Sequence, residues 1–148
     1  MPYLDLHQHL KNLEEHGLLR RITRLINKDT ELHPLVRWQY RGLAEEERKA
    51  WLFENVTDAK GRRYDMPVVV GALAGNPVIY FLGMGCKSAD EMDERWKKAL
   101  SEPLAPVTVN QAKCQDVVYL GDELDKVGGG PDRFPVPIST PGSSNGAY

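Results

Sequence analysis

Residues 51–70 read WLFENVTDAKGRRYDMPVVV, and the fold class turns on this stretch. WLFENV, 51–56, is a compact aromatic and branched run with charge on both sides, the pattern of a strand. MPVVVGALAG follows as a second strand, and the consecutive Val68, Val69 and Val70 predict burial on both faces, as in the interior of a sheet covered by helices. With helical patterns on either side, the expectation is an α/β domain.

Upstream, Asp5 precedes Leu6, Leu10 and Leu13 at helical spacing, Gln8 stands where a capping box requires it, and Gly17 closes the pattern. A helix over 6–16 is expected. LLRRITRLI interleaves branched residues with arginines and suits a half-buried strand. Pro34 fits the first turn of a helix with Leu35, Val36, Trp38 and Tyr40 as its apolar face and Gly42 as its end. AEEERK reads as a solvated charged turn, with Glu45 and Lys49 at i,i+4.

Downstream, Asn76-Pro77 is a cap and a first helical residue, so NPVIYFLGMG is expected as a short buried helix, with a strand as the alternative. Ser88 and Glu91 form a second capping box, acids crowd that helix's start, Lys97 and Lys98 stand near its end, and Pro103 stops it. Met92, Trp96 and Leu100 are its expected inner face. After Pro106 the texture turns to alternating valines and then to loop residues, which places a boundary near residue 110.

Composition narrows the function. A chain of 148 residues can bury about 68–70% of its unfolded surface, enough for one core. Lys+Arg 19 against Asp+Glu 21 gives a net charge of -2, so overall electrostatics indicate neither a nucleic acid nor an anionic membrane as partner. No apolar run reaches the roughly 18–20 residues of a membrane span, and the N-terminus lacks a secretory pattern, which predicts a cytoplasmic protein. Cys86 and Cys114 lack CxxC or histidine company and read as buried thiols.

The motifs are weak. GMGCKS, 83–88, resembles the end of a phosphate-binding loop, but Cys86 intrudes between glycine and lysine. Gly71, Gly75, Gly83 and Gly85 miss the dinucleotide spacing and suit tight turns. His7 and His9 stand two apart on a helix and point to different faces, His16 and His33 have no nearby acid at ligand spacing, and all four read as solvated or capping; Glu54-Asn55 reads as part of a structural ion pair, with a functional role as the alternative. From the residues alone, chemistry does not follow.

The longer stretch WLFENVTDAKGRRYDMPVVVGALAGNPVIYFLGMG resembles the N-terminal domain of the UbiD family, the prenylated-FMN-dependent decarboxylases, which carry an LLFENV strand, YDMPVV and a short helix ending in LG. The opening DLHQHLKNLEEHGLLRRI is similar to the family's DLREFLELLEERGELVRI. FPVPISTPGSSNGAY is similar to its proline-rich lead into the central domain, PISTPGFDNAPY, with SSN here in place of FDN.

The resemblance implies an N-terminal α/β domain over 1–112 and, over 113–148, the first strand and entrance loop of a split β-barrel, cut off at Tyr148. It implies a much longer parent that carries out reversible non-oxidative decarboxylation of aromatic, heteroaromatic or α,β-unsaturated acids. In the family an Arg and two Glu move protons, while Asn, His and Glu hold a divalent metal, usually Mn2+, with K+ at the flavin phosphate. All lie beyond the position matching Tyr148, so no catalytic residue or metal ligand is assigned. Ser144, Asn145 and Tyr148 are the cofactor-adjacent candidates, with ordinary loop and strand residues as the alternative. The fragment is expected to be an inactive scaffold that binds no cofactor. Its implied partners are the remainder of the parent chain, further copies in a homo-oligomer and a UbiX-type enzyme supplying prenylated flavin. A rival expectation is a stand-alone subunit docking to a separate barrel-containing chain, with 140–148 completing a partner's sheet. A third, a small enzyme with Cys86 or Cys114 as nucleophile, lacks a positioned base.

Overall fold

Asp5 opens the first helix, its Oδ1 accepting the Gln8 N–H at 2.8 Å, and α1 runs Leu6–Glu15. His16 follows as its C-cap, and Gly17 turns the chain at φ +68. The computed structural model describes residues 5–112, 115, 116, 118 and 120–123.

β1 (Leu19–Asn27) and β2 (Ala50–Thr57) pair in parallel from Leu19 with Ala50 to Asn27 with Thr57, with a register shift between Ile22 and Leu25. Parallel neighbours need a crossover. It consists of a π-helical turn, Lys28–Leu32, the helix α2 (His33–Gly42) and a 3-10 turn, Glu45–Glu47. Asn27 starts the π turn by accepting the N–H groups of Asp29 and Thr30 at 2.9 and 3.2 Å. Pro34 occupies the first turn of α2, where a missing N–H costs nothing. The other side of β2 is shared by two short antiparallel strands, β3 (Arg63–Tyr64) beside Val56 and Thr57, and β4 (Val68–Val70) beside Trp51 to Phe53. Two helices follow, α3 (Pro77–Gly83), capped by Asn76, and α4 (Ala89–Ser101), capped by Ser88.

Alternation along β2 builds a core on each face of the sheet. On one face Trp51, Phe53, Ile26, Leu32 and Tyr64 pack with Leu35 and Val36 of α2. On the other, Ala50, Leu13, Ala72 and Ile79 pack with Leu10 and Leu82, beneath α1 and α3. Burying Phe53 completely contributes about 2–3 kcal/mol. The layers are thus helix, sheet, helix.

Two buried side-chain amides bind the helices to the start of β2. Gln39 donates to the Lys49 carbonyl at 2.9 Å, and its Oε1 accepts the Lys49 N–H at 3.0 Å and the Trp51 indole N–H. Asn76 donates to the Arg48 carbonyl at 2.6 Å while its Oδ1 caps α3 through the Ile79 N–H. On the surface, Arg21 of β1 grips Glu14 of α1 through two hydrogen bonds and Glu54 of β2 through a third.

Several expectations need correction. Val68–Val70 does touch both cores, but it forms a three-residue strand beside β2 and is half-buried, not interior. Gly71 ends it by turning at φ +76, where a Cβ would also stand 2.9 Å from the Tyr40 hydroxyl. On α2 the buried residue is Gln39, and Trp38 faces outward. The 3-10 turn covers only Glu45–Glu47 and the chain is extended at Arg48, so Glu45 and Lys49 share no helical surface on which an i,i+4 pair would form. α4 has no fully buried residue: Met92 is half-buried, but Trp96 is 44% and Leu100 76% exposed, so most of the expected inner face is open among the described residues. The expected barrel strand and its entrance loop fall mainly outside the described residues.

Replacing Gln39 with leucine orphans the Lys49 backbone and the Trp51 N–H, each at a cost of about 1–3 kcal/mol. The expected result is a Tm lowered by roughly 5–10 °C in circular-dichroism melts. An unchanged Tm would mean that α2 is held by apolar packing alone.

Candidate functional site

Ligands of parallel sheets favour the carboxyl ends of the strands. At those ends of β1 and β2 stands a dense polar cluster. Lys28, almost fully buried, pairs with Asp29 at 2.6 Å and lies 6.0 Å from the Tyr64 ring centre; Arg62 lies 5.2 Å from the same ring. Tyr64 donates to Asp58 Oδ2 at 3.3 Å, and Asp58 Oδ1 accepts the N–H groups of Lys60 and Arg62, both at 2.9 Å. The second Asp29 oxygen takes the Ala59 N–H. Beside it, Glu31 accepts the Asn27 N–H and pairs with Arg24, each at 2.8 Å.

The cluster is matched internally. Partial desolvation pulls the Asp58 carboxyl upward, but the N–H groups of Arg62 and Lys60, the Tyr64 hydroxyl and the Lys28 ammonium outweigh it and hold it below the usual range. The Asn27 N–H lowers Glu31 against a pull from desolvation, and Arg24 adds to the effect. Hydrogen bonds from Arg21 likewise hold Glu14 low. This arrangement latches the 58–62 turn onto the sheet; its acids are engaged by protein donors rather than held ready for a substrate.

A roomier feature lies between α1 and α3. Asp5, Leu6, His9, Leu73, Tyr80, Gly83 and Met84 line a cleft of about 430 Å³ with mainly apolar walls. His9 Nε2 stands 2.6 Å from the Ala72 carbonyl. A carbonyl only accepts, so that nitrogen carries the proton. Gly83 borders the ring: a Cβ there would lie 3.6 Å from His9 Cε1, an ordinary van der Waals contact.

The other expected residues are distributed singly. His9 is buried, not solvated, because it sits one helical turn before the fully buried Leu13. His16 caps, its Nδ1 2.8 Å from the Asn12 carbonyl, and His7 is exposed. Glu54 is in the expected ion pair with Arg21, and Asn55 donates to the Thr23 carbonyl. Cys86 is a buried free thiol whose Sγ lies 3.6 Å from the Met84 carbonyl. Segment 83–88 joins α3 to α4, and the Lys87 and Glu91 N–H groups are already occupied by Glu91 and Ser88 side chains, so it is no phosphate loop. Cys114, Ser144, Asn145 and Tyr148 lie outside the described residues. Of the buried polar anchors Gln39, Asn76 and Lys28, only Asn76 carries a signal in the sequence, its place before Pro77.

The family model described as the 3-octaprenyl-4-hydroxybenzoate carboxy-lyase N-terminal domain matches residues 10–98, more than half of the chain. The chain belongs to the UbiD family. Among solved structures, this UbiD domain is similar to vanillic acid decarboxylase (ShVdcCD) of Sedimentibacter hydroxybenzoicus in open form with truncated ShVdcD, with TM-score 0.59 and 22% identity, covering 74% of this chain and 22% of that one. It is also similar to the open form of ShVdcCD, with TM-score 0.56 and 23% identity, covering 76% and 22%. At these identities the likeness establishes the fold. The chain spans about a fifth of the length of the chains it matches.

Tested against a flavin and its metal, the described residues do not fit. Among them no three His, Cys, Asp or Glu stand close enough to share a metal. The cleft beside His9 has no lysine or arginine to meet a phosphate, and its one carboxylate, Asp5, caps α1. Among the described residues no helix is long and apolar enough to cross a membrane.

Because Glu14, Glu31 and Asp58 are depressed in the folded state, the unfolded chain binds more protons in acid. Their contribution is complete above the ordinary carboxyl range of about 4 and is lost as pH falls below it. Urea midpoints should therefore hold steady near neutrality and drop below pH of about 4, and Glu31→Gln should flatten that drop. An acid profile identical in the variant would remove Glu31 from the account.

Proposed function

We propose that this UbiD domain belongs to a longer carboxy-lyase that decarboxylates aromatic, heteroaromatic or α,β-unsaturated carboxylic acids reversibly and without oxidation. The observation that carries this reading is the family match over residues 10–98. In the parent, prenylated FMN with Mn2+ and K+ would be held by residues outside this chain, and the chain itself would act as an inactive scaffold. A UbiX-type enzyme would supply the flavin, in the cytoplasm, and the parent would be a homo-oligomer.

The exposed apolar surface supports a scaffolding role. Trp96 and Leu100 of α4 continue into Leu104, Val107 and Val109, all exposed, with Leu104 at 94%. A run of this size seeks cover. The remainder of a UbiD parent is the cover proposed for it, with α4 forming one wall against the central domain. A second reading, a free assembly subunit docking to a separate barrel-containing chain, draws on the two-component designation ShVdcCD of the structural neighbours.

Titrating the 148-residue chain with FMN, and with prenylated FMN plus Mn2+, tests the scaffold reading. Unchanged flavin fluorescence and absorption is the expected outcome. Micromolar binding would place a flavin pocket within this chain and overturn it.

A further inference from the structure

α2 turns Leu35, Val36 and Gln39 toward the sheet, the first two into the core and the third onto the Lys49 backbone. Its opposite face carries Pro34, Arg37, Trp38 and Arg41 at helical spacing, and with Gly42 they line a shallow groove of about 450 Å³ with mainly apolar walls. Trp38 is 55% exposed and lies along Gly42 at ordinary van der Waals distance. Most of the described arginines are engaged within the molecule: Arg21 and Arg24 by carboxylates, Arg20, Arg48 and Arg62 by aromatic rings, and Arg95 by the Met84 carbonyl. The guanidinium groups of Arg37, which is half-buried, and of Arg41 have no carboxylate, carbonyl or ring as partner among the described residues. Even Glu45–Glu47, which follow the helix, form no ion pair with them.

Tryptophan beside arginine is the composition of binding hot spots, and a ring carried on a helix packed into the core has little freedom left to lose when a partner arrives. We propose that the outer face of α2 is a docking surface for an acidic amphipathic helix of a partner protein. That helix carries two carboxylates four residues apart, with an apolar side chain between them that seats on Trp38. Arg37 and Arg41 are themselves one helical turn apart, so carboxylates at i and i+4 meet them in register when the two helices lie side by side. Charge and apolarity together select this occupant. A nucleic acid needs a longer cationic track, because its affinity accumulates phosphate by phosphate, and the chain as a whole carries a net charge of -2. An inorganic anion would answer the arginines but leave the indole and the apolar walls in water. The groove is small beside the roughly 1,200–2,000 Å² of a stable interface, so the association is transient and salt-sensitive. It does not rest on the decarboxylase reading.

A synthetic helical peptide with glutamates at i and i+4 around a leucine, titrated into the full 148-residue chain and followed at the Trp38 indole N–H by two-dimensional NMR, tests this. The expected result is saturable binding in the micromolar range that weakens as salt is raised. R37E/R41E and W38A should each weaken it by about tenfold or more, the first with loss of the salt dependence and the second without. A peptide with lysines in place of the glutamates should bind R37E/R41E and not the unaltered chain. Far-UV circular dichroism checks that the variants fold; should R37E/R41E fail, R41Q with a glutamine-for-glutamate peptide, read by loss of salt dependence, replaces it. No binding at millimolar peptide, binding indifferent to R37E/R41E, or tighter binding of a single-stranded RNA oligonucleotide at the same indole would overturn the proposal. So would a dimer in sedimentation velocity that R37E/R41E dissociates, which would assign the face to a second copy.

Discussion

The fold depends on how β2 begins. β2 pairs with every other strand of the sheet, and the residues just before it, Arg48 and Lys49, are held from both sides by side-chain amides. Gln39 brings α2 to that point, and Asn76 brings the start of α3 to it. An amide offers a donor and an acceptor together, so each can close on backbone as a neighbouring strand would. Losing either would leave polar groups buried and unmatched in a low-dielectric interior, where the cost is highest. The two helical layers are thereby registered against the same few atoms.

The elements legible in the sequence were those with local causes. Asp5, Asn76 and Ser88 were readable as caps because a cap is settled by a side chain and an N–H two or three residues away. WLFENV was readable as a strand because both of its faces are apolar, and both are covered. What depended on distant partners was not legible. Three valines in a row say that two faces meet protein, but not whether the strand is central or flanking. The stripe Met92, Trp96 and Leu100 says that a face is apolar, but not that its cover is present. Gln39 looks polar and is nearly fully buried because its partners are ten and twelve residues away.

The candidate sites divide in the same manner. The polar cluster at the strand ends contains the residue types of an active site, yet every acid in it is engaged by a nearby donor, and it stabilises a turn. The cleft beside His9 has room, but its walls are apolar and its histidine is bonded to backbone. Family membership came instead from the order and spacing of several individually ordinary stretches, which no single residue carries.

The outer flank of β1 has a consequence for handling the molecule. Among the described residues β1 pairs on one side only, leaving a row of backbone groups that could template another strand. Arg20, Arg21 and Arg24 crowd the strand, and the register shift between Ile22 and Leu25 breaks its regularity. A charged, irregular margin resists sheet-to-sheet fibrillation. The strand that would otherwise invite such growth thus carries the features that disfavour it.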